Sequence, residues 1–454
     1  MMTSPVQDET NSAKTRAGVY PWFVVLMLMV AYALSFVDRQ ILSLLVEPIK
    51  DDLAISDSQI GLLQGLAFAL FYTLAGLPIG RLADYSNRRN IIAIGITVWS
   101  LMTFLCSLPK TFFGFFLARM GVGVGEAALS PSAYSLMSDY FPRERIGTAV
   151  GIYNVGIYVG AGLALIIGGV LIDAIPAIRD QLPALVAGFA DWRIVFMLVG
   201  LPGILLAVLF VLLVREPARR YQLTGHRTDK LSIADSISFV ARRWRRFFGF
   251  FVGMTLQSII FYALLSWVPT HFIREFGWSQ GDIGLSLGIV MVIFGSIGVI
   301  AGGMLCDYFW KKGVDDAPIL VAFLSLIGVA LSVVMALVFH AQPYWQLIAV
   351  GVSLFSCSLM MTAGPAGLQN MLPNQLRAQV SATYLFVLNL VSLTLGPLLP
   401  ALLSDHLFQD ERYIGLSVLI VVGGLCLVLV PVYQFSRVLF RQDIRNTPLQ
   451  EELR

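Results

Sequence analysis

The chain has 454 residues, 57% of them hydrophobic and 13% charged, with a mean hydropathy of +0.78. A soluble domain carries about 25% charged residues, so this composition excludes a chain that lives wholly in water, and a net charge of +3 gives no ground for a nucleic-acid partner. The four cysteines, Cys106, Cys306, Cys357 and Cys426, are scattered through apolar runs; they read as packing residues rather than disulfides or metal ligands, and neither metal nor cofactor is expected.

A spanning helix needs about 20 predominantly apolar residues. In chain order such runs fall near 20–46, 58–80, 91–108, 111–138, 147–172, 192–214, 247–272, 282–305, 317–339, 344–371, 378–403 and 413–440. The first is too long for a cleaved signal peptide and carries Asp38 and Arg39 in its interior. The expectation is an all-α membrane protein of twelve transmembrane helices in two six-helix bundles. A tail covers 1–19, the first bundle 20–214, a linker 215–246, the second bundle 247–440 and a second tail 441–454. Lys and Arg gather in the tails, in the linker and in the loops after the second, fourth, eighth and tenth runs, with few on the other side. That bias predicts an inner-membrane protein with both termini cytoplasmic. The linker opens Arg215-Glu216-Pro217 and closes Arg242-Arg243-Trp244-Arg245-Arg246. Leu231, Ile233, Ile237, Phe239 and Val240 make it loosely amphipathic, which suits either an interfacial helix on an anionic leaflet or a linker that is basic only to fix topology.

Two stretches about half the chain apart fit one pattern, G-x-L-x-D-Y-x-x-[RK]-[RK]. The first begins Gly80-Arg81-Leu82-Ala83-Asp84-Tyr85 and ends Arg88-Arg89; the second begins Gly303-Met304-Leu305-Cys306-Asp307-Tyr308 and ends Lys311-Lys312. Each closes the second run of its half, so the halves read as a parallel repeat. The pair resembles the signature between the second and third spans of the major facilitator superfamily. Physically, Gly lets helices approach closely and a helix-end Asp accepts from the N-terminus of a facing helix. Gly80, Asp84, Arg88, Arg89 and Asp307, with Asp139 at the end of the fourth run, are therefore expected at a cytoplasmic gate; pure topology charges are the competing reading.

Ionisable residues cost about 2.5–3.5 kcal/mol at mid-helix and are functional candidates by default. The first run holds Asp38-Arg39 and the fourth holds Arg119 and Glu126, the latter preceded by Gly121, Gly123 and Gly125. Counting from the run ends, Asp38 and Arg119 lie at one depth, about 13 Å in, and could pair; Glu126 is two turns from Arg119 on the same face. Burial favours the neutral form of a carboxyl and an adjacent Arg the charged form. Asp38 and Glu126 are thus expected to be proton sites, with Arg119 and Arg39 exchanging between them and an anionic substrate; a static ion-pair network would use the same residues. Of the four, Arg39 is the one most readily given a structural role. The second half carries no such charges, and its candidate cavity residues are neutral: Gln257, Tyr262, Gln369, Asn370, Tyr384 and Asn389. Gly160-Ala161 and Gly396-Pro397 stand at matching places in the two halves as candidate bends.

Several stretches of the first half resemble the spinster family of lysolipid and sphingolipid transporters: Ser35-Phe36-Val37-Asp38-Arg39, Asp84-Tyr85-Ser86-Asn87-Arg88-Arg89 and the segment from Ala118-Arg119 to Glu126-Ala127. That resemblance implies a secondary transporter, coupled to protons, for an amphipathic anionic lysolipid. The Asp-Arg and Arg-x6-Glu pairs are also similar to the anion–cation symporters that move sugar acids, and there Arg39 would bind the substrate carboxylate. A monomer is expected, since two halves enclose their own site. A scaffold has no use for buried charge. His226, His271, His340 and His406 lie scattered, without nucleophile–base or metal-ligand spacing, so no enzyme is expected.

Overall fold

The computed structural model describes residues 18–219, 233–372 and 374–446. Leu231 and the side chains of Ile233, Asp84, Gln369 and Asn370 lie outside the described set. Among the described residues eleven helices are long and apolar enough to cross a membrane: Val19–Leu44 (α1), Asp57–Ala83 (α2), Phe112–Tyr140 (α4), Arg145–Gln181 (α5), Asp191–Leu213 (α6), Trp244–Phe276 (α7), Gln280–Lys311 (α8), Ala317–Val338 (α9), Pro343–Pro365 (α10), Gln379–Phe408 (α11) and Glu411–Ile444 (α12). Between α2 and α4 lies Arg88–Leu105 (α3), whose opening Arg88-Arg89-Asn90 lowers its mean hydropathy. With it the helices number the expected twelve, and the protein is a multi-pass integral membrane protein.

The helices begin where local chemistry allows. Asn87 caps α3 by accepting from the Asn90 amide, Thr111 caps α4 through Gly114, and Ser279 caps α8 through Asp282. Ser56 and Gln59 form a reciprocal capping box at the start of α2. The short helix Val46–Leu53 follows α1 directly and carries four charged residues, so it stays outside the apolar layer.

The repeat shows in the packing. In the first bundle Gly160 of α5 lies against the Ala33 backbone of α1; in the second, Gly396 of α11 lies against Tyr262 and Ala263 of α7. A Cβ at either glycine would collide with the neighbouring helix, so both serve close approach. The bundles meet along α2–α11 and α5–α8. A Cβ on Gly61 would stand 2.9 Å from the Pro397 carbonyl oxygen, and one on Gly169 would stand 2.7 Å from that of Gln280. Both contacts lie toward the end of the molecule opposite the described chain ends, called here the far end; the end carrying Gly18 and Asn446 is the terminal end.

Candidate functional site

The glycines of α4 build the site. Gly123 presses on the α2 backbone, where a Cβ would come within 2.6 Å of the Phe68 carbonyl oxygen, and Gly125 presses on Trp99 of α3. Helix α4 is thereby wedged between α2 and α3, and the Phe68 and Tyr72 rings are carried to the level of Glu126, midway along α4. Helix α2 is interrupted at Gly65 (φ −99°, ψ −88°), which frees carbonyls near the site, as broken membrane helices do.

Here the structure corrects the expected pairing. Asp38 and Arg119 are level, but Arg119 Nη1 donates to the backbone carbonyl of Asp38 at 3.1 Å and Nε to that of Leu63 at 3.4 Å. The guanidinium meets main chain rather than the carboxylate: both of its hydrogen bonds go to backbone carbonyls of α1 and α2. Glu126 pairs with Arg39, the residue read as most structural. Arg39 Nη2 and Nε lie 2.5 and 2.6 Å from Glu126 Oε2. Both Asp38 carboxylate oxygens are buried without a hydrogen-bond partner, as is Glu126 Oε1, and the buried polar atoms Trp99 Nε1, Ser100 Oγ and Thr103 Oγ1 of α3 are in the same condition. The Asp38 carboxyl is within interaction range of Thr103, Glu126 and Arg119. Exposure separates the two cations: the Arg39 side chain is 14% exposed, whereas Arg119 as a residue is 1% exposed. Arg39 is the guanidinium at the rim; Arg119 is sealed below it.

Aromatic rings surround that rim. The Arg39 guanidinium lies 4.8, 4.2 and 4.8 Å from the ring centroids of Phe36, Phe68 and Tyr72, a cation–π setting. Tyr32 stacks on Tyr153 at 4.4 Å, and Tyr134 meets Tyr153 edge-on at 5.5 Å and reaches Asn154 at 3.3 Å. From the second bundle, Tyr262 comes within electrostatic reach of Arg39 and Tyr72. Sequence reading found Tyr262 but missed Tyr32, Tyr72, Tyr134 and Tyr153. The available signal was the i, i+4 spacing of Tyr32 with Phe36 and of Phe68 with Tyr72, which sets each pair on one helix face.

A second charged centre joins the bundles at the far end. Asp57, fully buried, receives Lys50 Nζ at 2.5 Å and Arg274 Nη1 and Nη2 at 2.7 and 2.8 Å. Arg274 of α7 also reaches Glu47 at 2.7 Å, and Lys50 reaches Glu411 at 2.7 Å. Asp405 of α11 accepts from the Ser58 amide at 2.6 Å, at the N-terminus of α2. Gln40 adds a bond to the Leu265 carbonyl at 2.6 Å. Among the described residues, the hydrogen bonds and ion pairs that cross between the bundles gather at this end. Lys50 and Arg274 are two of the few basic residues that the sequence places on the side away from the tails.

At the terminal end, Arg88 is buried and bonds within its own bundle: Nη1 to Asp139 and, at 3.0 Å, to the Ser135 carbonyl, and Nε to Glu216 at 2.7 Å. Glu216 also accepts from the Arg89 amide at 3.0 Å, and Arg219 donates to the carbonyls of Ala83 and Ser86 at 2.9 and 2.8 Å. The start of the linker thus clamps the α2–α3 turn, with Glu216 an unforeseen member. Gly80 faces Pro131 of α4 at ordinary contact distance, and Asp307 is exposed. Of the neutral candidates, Gln257 is corrected: it is buried between Ser325 (2.5 Å) and Tyr433 (2.6 Å), a bridge among α7, α9 and α12. Tyr384 is buried with its hydroxyl 3.6 Å from the Met254 sulfur, and Asn389 is partly exposed. Among the described residues no cluster of His, Cys, Asp and Glu could hold a metal ion.

The comparisons with known proteins agree with this architecture. Residues 28–314 match the Major Facilitator Superfamily. An MFS-type efflux pump of Mycolicibacterium smegmatis is 27% identical over 453 residues, covering 96% of this chain and 97% of the relative. A probable L-galactonate transporter of Escherichia coli is 27% identical over 307 residues, covering 65% of this chain and 63% of the relative. A solved bacterial homologue of the human lysosomal transporter spinster, inward-facing and occupied, superposes with a TM-score of 0.71 at 25% identity, covering 95% of this chain and 98% of that one.

Proposed function

The chain belongs to the Major Facilitator Superfamily, whose members are transporters rather than enzymes, and from that premise we propose that it is a proton-coupled secondary transporter of an amphipathic organic anion, of the lysolipid or sphingolipid-like class. The observation that carries this reading is the Arg39–Glu126 pair at the aromatic rim beside the unpartnered Asp38 carboxyl. The two arginines and two carboxyls of this centre balance when all are charged. A substrate anion that takes Arg39 leaves Glu126 buried without a counter-charge, which is costly; uptake of a proton removes that cost. Asp38, already without a hydrogen-bond partner, exchanges a second proton on the same logic. Arg119, on two carbonyls, holds α1, α2 and α4 in register and supplies a fixed positive field. The rings of Phe36, Phe68, Tyr72 and Tyr262 suit the apolar portion of the substrate.

The ion pairs around Asp57 act as the far gate. They are formed here, so the far end is closed, and access to the Arg39 centre would come from the terminal end, which the Lys and Arg bias assigns to the cytoplasm of an inner membrane. Opening outward requires Arg274 to leave Asp57 and Glu47 while the terminal end closes, the rocking of one bundle on the other. The terminal gate residues Gly80, Asp84, Arg88, Arg89, Asp139 and Asp307 would then meet the second bundle.

A second reading, proton-coupled symport of sugar acids, is favoured by Arg39 being the less buried of the two arginines and by the likeness to the L-galactonate transporter. A thermal-shift panel separates the two. A ligand that binds only the folded state raises apparent stability by mass action. Phosphorylated sphingoid bases and lysophospholipids are compared with hexuronates at pH 5.5 and 7.5. Stabilisation by the lipids alone, lost in Arg39→Ala, is expected; stabilisation by hexuronates alone moves the substrate to the sugar acids, and none with either class rejects both.

A further inference from the structure

We infer that the outer surface of the second bundle carries a binding groove for an anionic diacyl phospholipid of the leaflet at the terminal end. A groove of about 570 Å³ runs between the start of α7 and α12, lined by Phe248, Leu427, Val428, Pro431, Val432 and Phe435. Every lining residue is apolar, and Leu427 is 77% exposed, so the groove faces lipid and lies apart from the Arg39 centre. Phe435 stands nine residues before the end of α12 and Leu427 seventeen. At a rise of about 1.5 Å per residue this places the groove from just under the headgroups to near the bilayer centre, a span suited to one leaflet's acyl chains.

An aromatic ladder leads from the groove to the surface. Phe435 meets Phe248 edge-on at 5.9 Å, Phe248 meets Trp244 at 6.2 Å, and the Arg245 guanidinium lies 5.9 Å from the Trp244 ring. A Trp at this position is typical of the headgroup level. Two nearby acids are already taken: Asp443 pairs with Arg246 at 2.7 Å, and Asp316 is shared between Arg437 at 2.6 Å and Arg441 at 3.0 Å. Arg242 and Arg245 are exposed, and among the described residues this end of α7 and α12 carries more arginines than acids. A zwitterionic lipid would fill the groove but bring no net charge to these arginines; a headgroup with net negative charge answers both.

The test is native mass spectrometry of the full-length protein in mild detergent. It is titrated with equal amounts of phosphatidylglycerol and phosphatidylcholine bearing the same acyl chains. The wild type should retain phosphatidylglycerol in about tenfold preference. The double variant Arg242→Gln/Arg245→Gln should lose the preference, and Val428→Trp, which fills the groove, should lower occupancy by both lipids. These positions face lipid or water, so melting temperatures should stay near wild type. Equal retention of the two lipids by the wild type, a preference that survives in Arg242→Gln/Arg245→Gln, or unchanged occupancy in Val428→Trp overturns the inference.

Discussion

The two bundles share one frame and carry different chemistry. Each sets its first and fifth helices together through a glycine, Gly160 against Ala33 and Gly396 against Tyr262. Each braces its third helix to its sixth at the terminal end, with the charges exchanged: Arg88 on α3 meets Glu216 beyond α6, while Asp316 at the head of α9 meets Arg437 and Arg441 on α12. The interiors then diverge. The first bundle buries Asp38, Arg119 and Glu126 and keeps the Arg39 side chain at 14% exposure, whereas the second relies on neutral bridges such as Gln257 between Ser325 and Tyr433. Polar side chains in membrane helices commonly bridge helices, but a buried charge demands either a fixed partner or a function. In the proposed mechanism this divergence puts proton chemistry in one half and a neutral wall, with Arg274 for the gate, in the other.

The sharpest way to break this comparison is to neutralise one pair and one bridge. Removing one member of a buried ion pair costs about 3–5 kcal/mol, which is about 100-fold or more if expressed in transport. Arg39→Ala should therefore abolish substrate flux in proteoliposomes while the folded protein is still recovered by size-exclusion chromatography. Gln257→Leu should leave flux within about twofold and instead lower thermal stability, by about 1–3 kcal/mol for the orphaned Ser325 and Tyr433 hydroxyls. If Gln257→Leu loses transport as completely as Arg39→Ala, the division of labour between the halves is wrong.

The far gate comes next in size. Asp57→Asn removes the anion shared by Lys50 and Arg274 but leaves Glu47 and Glu411 in place. A loss of about 1.4 kcal/mol of differential stability shifts a two-state equilibrium about tenfold. Spin labels on the far ends of α1 and α7 should report a longer-distance population that grows in Asp57→Asn, and no growth would remove Asp57 from the gate.

These residues also mark how far the sequence was legible. Apolar run length announced the twelve helices, and ends fell within about four residues (the helix of α10 runs to Met371) except where α5, α8 and α11 continue past the expected 172, 305 and 403 to Gln181, Lys311 and Phe408, because a helix carries on through polar residues beyond its apolar run. Residue type announced Asp38, Arg39, Arg119 and Glu126. Their pairing was not legible, because depth along a helix fixes level but not which way a side chain turns; Arg119 met a carbonyl where a carboxylate was expected. The far gate was hidden for another reason. Lys50, Asp57 and Arg274 sit at helix ends, where charge is ordinary, and only the approach of α2 to α11 through Gly61 and Gly65 makes them partners.

Smaller effects sharpen the shared frame. Gly160→Leu and Gly396→Leu should each destabilise by about 1–3 kcal/mol through overpacking, and similar melting shifts for the two would support their equivalence. In each brace one side is buried (Arg88, Asp316) and the other partly exposed (Glu216, Arg437, Arg441), so Glu216→Gln and Asp316→Asn should each cost about 1–3 kcal/mol, visible as melting shifts that shrink in high salt.

The most direct test of the central claim is substrate-driven proton movement in proteoliposomes with a trapped pH indicator, for wild type, Glu126→Gln and Asp38→Asn. The wild type should acidify or alkalinise the lumen in step with substrate flux, and its flux should depend on pH. Glu126→Gln should lose both the proton signal and the pH dependence, and Asp38→Asn should weaken them. A full proton signal with unchanged pH dependence in both variants would contradict the assignment of coupling to this centre.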